Sequence, residues 1–218
     1  MNAERIKALP LTKAQALEYA QIAVRQKLGK PAEKVRYLGG GSFGRAVSVL
    51  CKDGKTLVVK FLLAKDMMQK EVHDLELLAE HSPVRVPRVL FARPGDEKIP
   101  VDCYGMEEIE GKSSLFALGM LFLGKRRRRE FADRVTTALH AIHSCKRDTF
   151  GDTMDAGCER WLDYYRPFAE EVLNKAEAYH AAGKLKKKVI LAMRAAWEKF
   201  DVIFSEEVKE ACLIHGDL

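Results

Sequence analysis

The chain has 218 residues, 47% of them hydrophobic and 31% charged, which is typical of a globular protein. Its net charge of +6 permits an anionic ligand but does not by itself indicate nucleic-acid binding. Its five cysteines are scattered and include no C-x-x-C pair, which argues against a disulfide framework or a zinc site and favours the cytoplasm. Neither a signal peptide nor a membrane span is predicted, because residues 1–10 lack an apolar core and the longest apolar run, residues 115–123, is too short.

The first predicted element is a helix over residues 12–28. Thr12 and Gln15 form a capping-box pattern, and Gly29 and Pro31 follow the last apolar position. Nothing in this helix suggests chemistry, so its expected role is to brace the sheet that follows.

A glycine-rich loop follows between two predicted strands, residues 34–38 and 45–51. Gly39, Gly41 and Gly44 have the spacing G-x-G-x-x-G, which lets backbone N–H groups approach phosphates. In a dinucleotide-binding fold the same glycines open a helix. Here a strand follows them, which favours a lid over phosphates as in kinases, and a glycine-rich hairpin without a ligand is the plainer alternative.

A strand lysine and a helix glutamate come next. Asp53-Gly54 predicts a hairpin leading into a third strand, residues 55–63, with Lys60 in its middle. A helix is predicted over residues 66–80, and Glu71 lies near its apolar stripe. Each charge is costly to bury alone, so the two are expected to pair. In the alternative interpretation Lys60 extends to the sheet edge and Glu71 only flanks the stripe.

Two further strands, residues 88–92 and 101–106, give the first lobe five strands, and residues 106–111 are interpreted as the linker between lobes. Apolar spacing then predicts helices over residues 131–142, 161–179 and 189–204. The basic run at residues 125–129 starts an amphipathic helix, so it is interpreted as a solvated face and not as a nucleic-acid site.

The chain ends on a second chemical motif. A short apolar strand, residues 211–214, leads into His215-Gly216-Asp217. An aspartate held at a strand end on a glycine turn can accept a proton from an attacking hydroxyl. The tripeptide alone would mean little. It becomes a specific indication of this chemistry because it follows the glycine loop, Lys60 and Glu71 in that order.

With these motifs in this order, the chain from about residue 35 resembles the aminoglycoside phosphotransferase and choline kinase family, small-molecule kinases related to protein kinases. The resemblance implies an α+β, protein-kinase-like fold of two lobes. The first lobe would hold an antiparallel five-stranded sheet plus a helix, and the second would be mainly helical and incomplete. The implied domains are an N-terminal helical extension (1–33), a nucleotide-binding lobe (34–110) and a helical lobe (111–218).

The resemblance also implies a role for each motif. The loop at Gly39, Gly41, Ser42, Phe43 and Gly44 would cover the phosphates of ATP or GTP. Lys60 would hold the α- and β-phosphates with Glu71 as its partner. The backbone of Glu107 to Ile109, with Met106 just before it, would bind the base. Asp217 would be the catalytic base, supported by His215.

Family members continue past this motif to an asparagine and an aspartate that hold Mg²⁺, and those two ligands are expected to be missing from these 218 residues. The implied activity is transfer of the γ-phosphate to a hydroxyl of a small molecule, such as an aminoglycoside or choline. The chain is then a fragment whose own activity is in question. In the alternative, it is a non-catalytic nucleotide-binding or interaction module.

Overall fold

The computed structural model describes residues 10–64, 66–81, 85–111 and 124–214. These residues divide into two compact units, with the boundary between Ile142 and His143. The first unit holds the glycine loop, and the second holds the strand that precedes the His-Gly-Asp motif. The domain limits inferred above, at residues 33/34 and 110/111, stay predictions.

The N-terminal helix begins at the predicted capping box. Helix α1 spans Lys13–Leu28; the Gln15 amide donates to the Thr12 hydroxyl at 3.2 Å, and the Gln15 side chain accepts from the Thr12 amide at 3.0 Å. It ends at Gly29, whose φ of 66° is the left-handed conformation that glycine adopts at low cost. The buried side of α1 consists of small residues: Ala16, Ala20, Ala23 and Val24.

The first unit is built on an antiparallel sheet. Its strands are β1 (Ala32–Gly40), β2 (Gly44–Cys51), β3 (Thr56–Leu62), β4 (Val89–Arg93) and β5 (Asp102–Glu107). They lie in the order β1-β2-β3-β5-β4, and every neighbouring pair is antiparallel. The α+β class and the five-stranded antiparallel sheet predicted from the sequence are therefore confirmed.

Alternation along β3 divides its side chains between two faces of the sheet. Leu57, Val59 and Phe61 enter the core that α1 covers. Because each such buried Val or Phe contributes about 1.5–3 kcal/mol, this core is the main support of the sheet. Lys60 and Leu62 belong to the opposite face. There Leu62 packs with the first residue of helix α2 (Met68–His81).

Helix α3 (Lys125–His143) contains the basic run. None of its described residues is buried, and Arg126 pairs with Glu130 one turn later at 2.9 Å. Ion pairs of this exposed i,i+4 type contribute only about 0.3–0.5 kcal/mol. The described helices include none that is long and apolar enough to cross a bilayer.

Aromatic side chains of the second unit form a cluster around the buried Phe200. Its helices are α4 (Trp161–Ala181), α5 (Lys187–Glu198) and α6 (Phe200–Ile203). Trp161 stacks on Tyr165 with ring centroids 4.5 Å apart, and Phe200 lies 4.7 Å from Phe204. Trp161 also meets Phe204 with ring centroids 5.2 Å apart, but Phe168 and Tyr179 are exposed, so the aromatic stripes interpreted from the sequence as core are core only in part.

The prediction of one helix over residues 189–204 is wrong in one respect, because the structure has two helices there. Lys199 has φ −102° and ψ 12°, which ends α5 before α6 begins. The chain then buries Phe200 against Trp197, with ring centroids 5.1 Å apart. Apolar spacing could not reveal a break of one residue, since Trp197, Phe200 and Phe204 keep their helical spacing across it.

Two short strand pairs complete the second unit. Strand β6 (Lys146–Arg147) pairs with β9 (Ala211–Cys212), and β7 (Phe150–Gly151) pairs with β8 (Ala156–Cys158). The strand predicted over residues 211–214 is therefore present at its first two residues. The other three strands are too short to have an alternating sequence pattern.

Candidate functional site

The glycine loop is tied to the strands on either side of it. Strand β1 ends at Gly40 and β2 begins at Gly44, so the loop itself is Gly41, Ser42 and Phe43. The Gly41 amide donates to the Gly44 carbonyl at 3.1 Å. The Arg45 guanidinium donates to the carbonyls of Gly41 and Gly44 at 2.6 and 2.9 Å. These bonds occupy the Gly41 N–H and the carbonyl groups of Gly41 and Gly44, and the Phe43 side chain at the tip is 52% exposed.

The glycines of the loop differ in how strictly the structure requires them. Gly39 has φ 147°, which other residues rarely adopt. A Cβ at Gly40 would lie 2.7 Å from the Gly44 carbonyl oxygen and 2.5 Å from the Arg45 Cδ, whereas a Cβ at Gly41 would meet nothing within 4 Å. The closest steric constraint is thus at Gly40, a glycine that the G-x-G-x-x-G spacing does not select.

Replacing Gly40 with Ala is expected to destabilise the protein by about 1–3 kcal/mol, because the added methyl group collides with backbone. Gly41→Ala is the matched control, with an expected change within about 0.5 kcal/mol. Urea unfolding of both variants measures the difference. Equal stability of Gly40→Ala and Gly41→Ala would contradict the crowding described at Gly40.

Lys60 and Glu71 form an ion pair across β3 and α2. The Lys60 Nζ lies 2.7 Å from the Glu71 Oε2, and the two side chains are 34% and 25% exposed. The pairing predicted from the sequence is therefore present, in place of a Lys60 extended to the sheet edge. Because both groups are only partly buried, the pair contributes modestly to stability and leaves Lys60 accessible to an anion.

Tyr104 is a third member of this cluster that the sequence analysis missed. It lies directly opposite Lys60 in the β3–β5 register, and its hydroxyl donates to the Glu71 Oε2 at 2.9 Å. Tyr104 is 2% exposed, and burial together with the Glu71 carboxylate raises its pKa, so the hydroxyl stays a donor. The signal that could have found it was a tyrosine centred in the strand predicted over residues 101–106, but the strand order and register were needed to align it with Lys60.

The sheet register also brings the glycine loop next to the lysine. Ala46 pairs with Lys60, two residues after Gly44 on β2. A Cβ at Gly44 would lie 3.5 Å from the Lys60 Cε and 3.0 Å from the Phe61 carbonyl oxygen. The backbone of the loop and the lysine ammonium thus lie on one side of the sheet, where both can contact a polyanion.

The predicted linker leaves the same sheet at the end of β5. Met106 pairs with Val58 and packs against the cluster that contains Tyr104. The Glu107 amide donates to the Arg88 carbonyl at 3.0 Å, and its carboxylate pairs with the Arg88 guanidinium at 3.1 Å. Ile109 is 42% exposed. Met106 and Glu107 are thus the last two residues of β5, the strand that carries Tyr104, and Ile109 follows it.

His215 and Asp217, the predicted catalytic residues, lie outside the described residues. The chain leading to them is held in the second unit, where the Leu213 amide donates to the Cys145 carbonyl at 3.0 Å. Within the described ranges no three His, Cys, Asp or Glu side chains are grouped as metal ligands would be. The predicted Mg²⁺ stays an expectation from the resemblance.

A five-stranded sheet with a glycine loop, a strand lysine and its helix glutamate defines the chain as kinase-like in architecture. A model of the phosphotransferase enzyme family matches residues 34–218. The chain therefore belongs to the phosphotransferase enzyme family. Comparison with curated proteins found no match.

Solved structures of phosphotransferases are similar in fold. A GDP and kanamycin complex of APH(2")-IIia matches with a TM-score of 0.57 and 15% identity over 87% of this chain. A type I macrolide 2'-phosphotransferase matches with a TM-score of 0.57 and 17% identity over 95%. A candidate fructosamine-3-kinase from Thermobifida fusca matches with a TM-score of 0.61 and 20% identity over 91%. The chain spans 60%, 66% and 66% of their lengths, respectively.

Proposed function

We propose that this chain is the nucleotide-binding and acceptor-activating part of a small-molecule kinase that moves the γ-phosphate of ATP or GTP to a hydroxyl. The observation that carries the proposal is the Lys60–Glu71 ion pair at 2.7 Å beside the glycine loop. A lysine that is accessible, oriented by a carboxylate and adjacent to a glycine loop is suited to hold phosphates.

Each residue has a defined part in the proposed mechanism. The glycine loop, residues 39–44, covers the phosphates, and the Lys60 ammonium contacts the α- and β-phosphates. Glu71 fixes the direction of Lys60, and the Tyr104 hydroxyl fixes Glu71. The backbone of Glu107 and Ile109 binds the base. Mg²⁺, when bound, would neutralise charge at the β- and γ-phosphates.

Asp217 is proposed to orient the acceptor hydroxyl and take its proton as the oxygen attacks the γ-phosphorus. The bond to the β-phosphate oxygen breaks, so the products are the phosphorylated acceptor and a nucleoside diphosphate. His215 is proposed to support the loop that carries Asp217. On this proposal residues 34–110 bind the nucleotide, and residues 111–218 supply part of the acceptor side.

The test measures nucleotide binding and transfer separately on the full chain. ADP and GDP binding is measured first, by calorimetry. The proposal requires that the chain binds one of these nucleotides and that Lys60→Met raises its dissociation constant. Transfer from γ-labelled ATP or GTP with Mg²⁺ is then assayed against aminoglycosides, a macrolide, a fructosamine and choline. These acceptors follow the neighbours named above and the family resemblance.

Labelled product from one acceptor supports the whole proposal. Nucleotide binding without any product supports the non-catalytic nucleotide-binding module. Absence of ADP and GDP binding would overturn the proposal, because the glycine loop and Lys60 would then have no nucleotide to hold.

A further inference from the structure

Glu108, the residue just after β5, is held by Ser48 and Arg36, and these three side chains are called the clamp. The Glu108 Oε2 accepts a hydrogen bond from the Ser48 hydroxyl at 2.6 Å, and its Oε1 lies 3.2 Å from the Arg36 Nη2. Arg36 and Ser48 are direct partners on β1 and β2. Since β3 lies between β2 and β5, the Glu108 side chain connects the chain leaving β5 to two strands on the far side of β3.

Burial identifies Ser48 as the important partner. Ser48 is 6% exposed, whereas the Arg36 side chain is 61% exposed and that of Glu108 is 22% exposed. A short hydrogen bond from a buried hydroxyl to a carboxylate is among the stronger polar interactions, and an exposed ion pair is among the weaker ones. A buried hydroxyl without a partner is costly, which accounts for Glu108 as the acceptor that a serine in this apolar strand needs.

The neighbouring carboxylate is held in a different way. The Glu107 side chain pairs with Arg88, whose side chain is 74% exposed, and the Glu107 amide donates to the Arg88 carbonyl. Two consecutive residues are thus fixed to opposite parts of the sheet, Glu107 to the chain entering β4 and Glu108 to β1 and β2. The peptide groups between Glu107 and Ile109 are held from both sides.

We propose that Glu108 is a positioning residue for the nucleotide base, acting through Ser48. The inference rests on the proposed function, in which the peptide groups of Glu107 and Ile109 bind the base. Because Glu108 lies between them, anchoring its side chain fixes both peptide groups before the nucleotide arrives. A preorganised site loses less conformational entropy on binding, so affinity for the base portion is raised without any contact from Glu108 itself.

The experiment compares ligands with and without a base. ADP and inorganic tripolyphosphate binding is measured by calorimetry for the full chain and for Ser48→Ala, Glu108→Ala and the double variant. Each single variant is expected to raise the ADP dissociation constant about tenfold, with no further rise in the double variant, because both changes remove the same interaction. Tripolyphosphate binding is expected to change by less than about twofold, since it has no base for the clamp to position.

Two further variants sharpen the result. Glu108→Gln keeps an acceptor for Ser48 and is expected to retain most of the ADP affinity, as rescue by the conservative change. Lys55→Met, which changes an exposed lysine outside the linker, is the control, with ADP binding expected within about twofold of the unmodified chain. Circular dichroism establishes that each variant is folded, and Ser48→Ala decides the test if Glu108→Ala does not fold.

Three results would overturn the inference. The first is ADP binding that Ser48→Ala and Glu108→Ala leave unchanged while Lys60→Met weakens it. This result would reject the positioning role of Glu108 and leave the proposed function intact. The second is a loss of ADP affinity that is larger in the double variant than in either single variant, or that is equally large for tripolyphosphate. Either form would assign a general structural role to Glu108. The third is an unmodified chain that binds neither ADP nor GDP, which would overturn both this inference and the proposed function. The Lys60→Met comparison distinguishes this result from the first one.

Discussion

Lys60→Met is expected to lower phosphoryl transfer about a thousandfold, which corresponds to about 4 kcal/mol in the barrier. The change removes the ammonium that would hold the α- and β-phosphates, and it leaves Glu71 with the Tyr104 hydroxyl as a donor. Stability is expected to fall by no more than about 1 kcal/mol, because the ion pair is partly exposed. Steady-state rates and urea unfolding measure the two effects.

The matched control is Lys55→Met, which changes an exposed lysine just before β3. Its rate is expected to stay within about twofold of the unmodified chain. A Lys60→Met rate equal to that of Lys55→Met would remove Lys60 from the site. A loss of folding in Lys60→Met would instead show that the pair with Glu71 is chiefly structural.

Asp217→Asn is expected to reduce transfer by about a thousandfold or more while the ADP dissociation constant stays the same. Asparagine can orient a hydroxyl but cannot accept its proton, and general-base catalysis typically contributes about 10²–10⁴ in rate. Product formation and ADP calorimetry on the same preparation measure the two quantities. Comparison with Lys60→Met separates chemistry from binding, since only the lysine variant is expected to bind ADP less tightly.

Asp148→Asn, an exposed carboxylate in the second unit, is the control for Asp217→Asn. It is expected to change neither transfer nor ADP binding. An Asp217→Asn chain that still turns over as fast as this control would exclude Asp217 as the base. Weaker ADP binding in Asp217→Asn would assign that residue to the nucleotide instead.

Local signals in the sequence predicted most of the first unit. The capping box at Thr12, the Asp53-Gly54 hairpin and the alternation along β3 each involve residues a few positions apart, so their physics is contained in the sequence. The Lys60–Glu71 pair was also predictable, because two charges that each face an apolar environment stabilise one another.

Features that depend on strand order were not predictable in the same way. Tyr104 reaches Glu71 because β5 lies beside β3, and Ser48 reaches Glu108 across β3. Neither adjacency follows from the local pattern of one strand. Gly40 is similar, since its crowding comes from Arg45 and Gly44 after the hairpin has closed.

The division of β3 between two faces has a consequence for how the protein can change over time. Val59 is fully buried in the core beneath α1, and the next residue, Lys60, lies on the opposite face, where we propose that the nucleotide binds. Substitutions at positions like Val59 are expected to lower the free energy of unfolding, whereas a substitution at the partly exposed Lys60 is expected to change ligand binding with a small effect on stability. Leu62 and Tyr104 on the Lys60 face are also buried, so ligand preference can drift with little loss of thermal tolerance only through the partly exposed positions of that face.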